Sequence, residues 1–210
     1  MADDRTEARS VIGIAGPPGA GKTTLARGLA GALEGSALIH FDHYERLTEQ
    51  PIEDIRRWME SGAAMERLVV PQLAEDLQAL KLGNMVTDRA TQARISARRF
   101  IVFETPLGRR HADTGRHIDF LIWIDTPLDM ALARNIRELS AKVDARSPGA
   151  PTAFVAWLQA YLDNYLAVVS RLLRMQQDSV RPEADLVIDG TRPPEEKLQT
   201  ARLEILRRFG

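Results

Sequence analysis

The sequence predicts an α/β fold in which a five-stranded parallel sheet is covered by helices on both faces. Three observations predict it. Five short runs are apolar almost without interruption, helix-like stretches separate them, and the first run passes into its helix through a turn rich in Gly and Pro. Strands buried on both faces of a parallel sheet have that unbroken character, because neither side meets water.

The apolar runs are Val11 to Ala15, Ala37 to Phe41, Phe100 to Phe103, Phe120 to Ile124 and Leu186 to Ile188. Helical periodicity covers Thr23 to Leu33, Ile52 to Glu60, Val70 to Leu82, Leu128 to Val143, Thr152 to Met175 and Glu195 to Phe209, and several of these open with a proline or a hydroxyl residue. Ala145 to Pro151 holds too many breakers to continue a helix and is expected as a mobile tip between two long ones. The 210 residues show no internal repeat and are expected to form one domain, 1–210.

With 44% hydrophobic and 27% charged residues the chain has ordinary globular usage. Its 28 Lys plus Arg balance 29 Asp plus Glu, a net charge of -1 that gives no global attraction to nucleic acid or an anionic membrane. There is no Cys, which removes disulfides, thiolate nucleophiles and Cys metal sites together. The first ten residues lack the apolar stretch of a signal peptide and no run reaches membrane-spanning length, so a cytoplasmic location is expected.

The most specific feature is the turn after the first run: Gly16, Pro17, Pro18, Gly19, Ala20, Gly21, Lys22, Thr23 and Thr24. Its spacing, Gly-x-x-x-x-Gly-Lys-Thr, is that of a phosphate cradle. The glycines let successive backbone N–H groups face one anion, and the following helix adds its positive end. Lys22 supplies a charge for the β- and γ-phosphates of ATP, and the Thr23 hydroxyl is placed to ligate Mg²⁺.

Ligands of open α/β sheets gather beyond the carboxyl ends of the strands, where three runs end in acids: Asp42, Glu104 and Asp125. Phosphoryl transfer to a hydroxyl needs one carboxylate to accept the proton and another to serve Mg²⁺. Each acid has a plain alternative as a helix cap, Asp125 most of all, because Pro127 can open the next helix. His43 and Tyr44 are expected as an exposed polar and aromatic pair where a substrate ring could rest.

Together with the loop, Phe41 to Tyr44, Arg99 to Glu104, Ile118 to Pro127, Leu132 to Arg137 and Pro182 to Gly190 resemble, in order, the uridine kinase and phosphoribulokinase superfamily of P-loop kinases. The resemblance implies the three-layer fold of that superfamily, with a helical lid over about 134–151. It implies Asp42 as the acceptor-activating carboxylate, Glu104 as the carboxylate serving Mg²⁺ beside Thr23, Tyr44 as an acceptor-contacting aromatic, and Arg134 and Arg137 as lid arginines over the transferring phosphate. Met85 to Arg94 lacks the aromatic and His with which uridine kinases read the base. Arg109 and Arg110, after Glu104, are expected at the mouth of the acceptor site, where they could bind an anionic group on the acceptor or add to the lid.

The expectation is an ATP- and Mg²⁺-dependent kinase with catalytic residues Lys22, Asp42, Arg134 and Arg137. Its acceptor is a nucleoside-like or related small hydroxylated metabolite met by Asp42, Tyr44, Glu104, Arg109 and Arg110. Two alternatives stand beside it. One is an NTPase that couples hydrolysis to a conformational change, with Asp125 as its metal-side acid; the other is a non-catalytic nucleotide-binding regulator. No guanine-reading Asn-Lys-x-Asp occurs. The oligomeric state is left open, a homo-oligomer included.

Overall fold

The computed structural model describes residues 8–33, 35–45, 57, 70–144, 146–147 and 149–210. The helix expected over Ile52 to Glu60 lies outside the described residues, Arg57 excepted, as do Ala145 and Pro148 of the expected tip.

Strands β1 (Ser10–Ala15), β2 (Ala37–His40), β5 (Phe100–Glu104), β6 (Phe120–Asp125) and β7 (Leu186–Asp189) form one sheet in the order β2-β5-β1-β6-β7. Every pairing is parallel, with Ile14 beside Glu104 and Asp125 beside Asp189. The helices are α1 (Lys22–Ala32), α2 (Pro71–Lys81), the short α3 (Ala112–Gly115), α4 (Leu128–Ala141), α5 (Ala150–Asn164), α6 (Ser170–Val180) and α7 (Pro194–Phe209).

Why the strand sequences do not alternate is visible in the core. Val11, Ile101, Phe103, Leu121 and Trp123 point to one face, where Leu73, Leu77 and Leu80 of α2 meet them. Their neighbours Ile12, Val102, Phe120, Ile122 and Ile124 point to the other, against Leu25 and Leu29 of α1 and Ala201 and Ile205 of α7. Successive side chains alternate faces, so a strand between two apolar layers is apolar throughout.

Three local features depart from the sequence pattern. Phe41 leaves β2 for a 3₁₀ turn, Phe41–His43, that carries Asp42 past the strand end. A hairpin of β3 (Val86–Thr87) and β4 (Arg94–Ile95) occupies a stretch too short to show periodicity. The helix expected over Thr152 to Met175 runs instead from Ala150 to Val180, interrupted by a π-helical turn at Tyr165–Val169, so Ala150 and Pro151 open α5 and are not part of a tip.

Candidate functional site

β1 is the sheet's central strand, and the turn leaving its carboxyl end has acids from β2 and β5 on one flank and the ends of β6 and β7 on the other. In that turn Gly16, Gly19 and Gly21 take positive φ angles of 153°, 80° and 95°. Gly19 also has no room for a side chain: a Cβ there would lie 2.1 Å from the carbonyl oxygen of Ala131 on α4. Only glycine meets both demands, which explains that spacing in the sequence. Lys22 opens α1 and donates to the carbonyl of Pro17 across the loop at 3.2 Å. Burial pushes its ammonium below the ordinary lysine range, partly offset by the charges of Glu104 and Asp42.

Glu104 is 8% exposed and has both oxygens engaged. Thr23 Oγ1 donates to Oε1 at 2.8 Å, and His40 Nδ1 lies 2.7 Å from Oε2. Burial raises the Glu104 carboxyl, but the hydrogen bonds from His40 and Thr23 and the Lys22 charge outweigh it and hold it below its ordinary value. An ionised carboxylate only accepts, so His40 is the donor. Thr23 and Glu104 thus present a hydroxyl and a carboxylate at one point of the loop. That is an oxygen donor set suited to Mg²⁺, which takes few protein ligands and fills its shell with phosphate and water.

Asp42 is exposed and accepts no hydrogen bond from the described residues. The protein around it nevertheless displaces enough water to raise its carboxyl; Glu104 and Glu45 add to the shift, and Lys22 and His40 oppose it. Beside it the His43 and His40 rings stand 4.8 Å apart. His43 Nδ1 lies 2.7 Å from Asp88, whose other oxygen is held by the Thr91 N–H and hydroxyl. The turn of the hairpin thereby fixes the His43 ring.

Tyr44 does not match the expectation of an exposed aromatic. It is 5% exposed, its ring lies in the core with Leu73 and Leu77, and its hydroxyl donates to Asp76 on α2 at 2.8 Å. The 3₁₀ turn rotates consecutive residues by about 120°, which sends Tyr44 inward while Asp42 stays outside.

Arg109 and Arg110 also depart from expectation. Arg109 donates to the carbonyl of Glu183 at 2.7 Å and pairs with Asp185, and Arg110 meets Glu183 at 3.3 Å. These partners precede β7, and Arg109 further reaches the carbonyls of Ile118 and Asp119 that precede β6. That is the amino end of the sheet, opposite the glycine-rich turn. The chain after Glu104 runs back down the sheet before its arginines emerge.

Asp125 is held by Arg181 and Trp123, each at 3.2 Å. It has no contact with Thr23; Glu104, on the strand beside β1, has it. On this flank Arg134 and Arg137 of α4 line one cavity of about 750 Å³ with residues 19–24 of the loop. Arg134 donates to the carbonyl of Gly190 at 2.9 Å. Arg192 and Lys197, which the sequence did not single out, line the same cavity. His40 was detectable by the strand-end rule that found Asp42; nothing in a polar helix distinguishes Lys197.

Among the described residues no helix is long and apolar enough to cross a membrane. No protein-family model and no curated protein matches the sequence. Solved structures do match the fold. A possible uridine kinase from Bacillus stearothermophilus is 19% identical with a TM-score of 0.52, over 88% of this chain and 91% of that one. A gluconokinase from Sinorhizobium meliloti is 18% identical with a TM-score of 0.54, over 98% of this chain and 95% of that one. The parallel sheet in the order β2-β5-β1-β6-β7, with its flanking helices, is the fold of the P-loop kinases.

Proposed function

We propose that this chain is an ATP-dependent small-molecule kinase that moves the γ-phosphoryl group to a hydroxyl of its acceptor. The observation that carries the proposal is Asp42: a carboxylate that accepts no hydrogen bond from the described residues, its pKa raised by desolvation, on the same flank of the loop as Glu104 and facing the charge of Lys22. A poised base beside a phosphate cradle suits an acceptor alcohol. The residues around the loop divide the work. Backbone N–H groups and Lys22 would hold the phosphates; Thr23 and Glu104 would hold Mg²⁺; Arg134 and Arg137 would meet the charge spread over the γ-phosphoryl oxygens. Mg²⁺ held there would supply positive charge that offsets the charge of the phosphates. Asp42 takes the acceptor's proton as the new O–P bond forms, the bond from phosphorus to the β,γ-bridging oxygen breaks, and ADP leaves with that electron pair.

The placement of Arg109 and Arg110 away from the loop removes the support they gave to an anionic acceptor. The hold of Arg181 and Trp123 on Asp125 weighs against the hydrolytic alternative. The test is phosphorus NMR of reactions with ATP and Mg²⁺ across nucleosides, polyols and sugar acids, for the wild type and for Asp42→Asn. A phosphate ester formed by the wild type and lost in Asp42→Asn, with ATP still bound, is expected. Free phosphate as the sole product, surviving Asp42→Asn and lost in Asp125→Asn, would overturn the proposal.

A further inference from the structure

The transfer scheme leaves one buried cation unused. Lys197, in the first turn of α7, is 6% exposed, and its ammonium makes one long hydrogen bond, 3.4 Å, to the carbonyl of Gly190. That carbonyl is already taken by Arg134 at 2.9 Å. An ammonium has three N–H donors, and burying one without partners is costly. Among the described residues no carboxylate bonds it. Burial and the charge of Arg134 both push the group below the ordinary lysine range, against the opposing charge of Asp189.

The position of this ammonium says what would satisfy it. A Cβ built on Gly21 would lie 3.5 Å from Lys197 Nζ, so the group stands against the backbone that joins the glycine-rich turn to α1. It lines the same cavity as Thr24 and Arg192. Sheet order sets which end of a bound phosphate chain lies here. Asp42 and Glu104 come from the β2 and β5 side of β1, whereas Gly190 and Lys197 follow β7, on the other side. The reacting phosphate belongs beside Asp42, and Arg134 and Arg137 of α4 would meet it by reaching across from this flank, whereas Lys197, fixed in the first turn of α7 against Gly21, keeps to the phosphate nearer the ribose.

Resting on the assignment of the loop as a nucleotide site, we propose that Lys197 binds the proximal phosphates of the nucleoside di- or triphosphate. A donor group that the described residues bond only once is then a device of affinity: the ligand's oxygens complete its shell.

Lys197→Met removes the charge and keeps most of the volume. Calorimetric titration with Mg-ATP and Mg-ADP should show both affinities reduced by the same factor, about 10- to 100-fold, the scale of a charge-assisted hydrogen bond. Melting of the ligand-free variant should be unchanged or higher, since a poorly paired buried charge has gone, while the rise in Tm produced by ATP shrinks. Lys22→Ala, acting at the distal phosphates, should instead weaken ATP more than ADP. Wild-type affinity in folded Lys197→Met, or a loss confined to ATP, would overturn the proposal. So would a lower ligand-free Tm with unchanged affinities, which is the signature of a structural lysine. Lys197→Gln, which can still donate to Gly190, repeats the measurement if the Met variant does not fold; failure of both to fold makes Lys197 structural and also overturns it. A wild type that binds neither nucleotide removes the nucleotide site itself, a different failure and visible as such.

Discussion

Replacing Tyr44 with Phe separates a core residue from an acceptor-contacting one. The phenol is buried, and burial together with Asp76 raises its pKa, so it stays protonated and donates to Asp76 Oδ2 at 2.8 Å. Asp76 is itself 7% exposed, with its other oxygen taken by Gln72 at 2.9 Å. Tyr44→Phe therefore leaves a buried carboxylate oxygen without its donor and creates almost no cavity. Hydrogen bonds to charged groups carry about 1.5–3 kcal/mol. For a chain of this size each kcal/mol moves Tm by about 2–4 °C, so the expected loss is about 3–12 °C. Thermal unfolding followed by circular dichroism measures it, and a double-mutant cycle with Asp76→Asn isolates the pair. The acceptor's KM should stay at its wild-type value. An unchanged Tm together with a raised acceptor KM would refute the reasoning and make Tyr44 an acceptor-contacting residue.

Lys22→Ala should leave melting nearly unchanged and weaken triphosphate binding on the order of 100-fold, as read by titration with Mg-ATP. Arg134→Ala and Arg137→Ala should each lower kcat by about 100-fold with a smaller effect on ATP affinity, because the charge they meet is concentrated in the reacting complex; steady-state kinetics beside titration separates the two effects. Arg109→Ala should cost about 1–3 kcal/mol of stability in urea unfolding and leave the acceptor's KM alone, since its partners lie before β6 and β7. Asp42 gives a pH signature. Its folded-state pKa is raised, so ionising it costs stability as pH rises from the ordinary carboxyl range through the raised value. Ligand-free Asp42→Asn should then gain Tm relative to wild type at about pH 7 and lose that advantage at about pH 4. A gain independent of pH would count against the raised carboxyl.

What the sequence could reveal followed from the range of each cause. The glycine-rich turn is local: the φ angles of Gly16, Gly19 and Gly21 and the start of α1 at Lys22 are set within a few residues, so spacing alone exposes them. Glu104 was within reach because a strand's last residue lies at the ligand end of a parallel sheet. Tyr44 and Arg109 were not. Whether Tyr44 turns in or out depends on a 3₁₀ turn that an apolar run does not announce. Which end of the sheet Arg109 reaches depends on how far the chain travels between Glu104 and α3. Lys197 meets the loop, and Asp88 meets the ring beside Asp42, through partners distant in sequence, Gly21 and His43. Neither residue type carries a signal of its own.

The seat of α4 on the loop gives the helix a fulcrum. With the backbone of Ala131 pressed to Gly19, the helix can tilt about that contact but cannot slide along it without opening the turn. At 1.5 Å per residue, Arg134 stands about 4.5 Å from the fulcrum, Arg137 about 9 Å and Ala141 about 15 Å. A tilt of about 10° would then carry their backbones roughly 0.8, 1.6 and 2.6 Å, respectively. The two arginines thus sit at unequal gearing on one lever. Arg134, close to the pivot and hydrogen-bonded to Gly190, is the nearly stationary one. Arg137 has the longer throw, and any closure of the helix over a phosphate is delivered mainly through it.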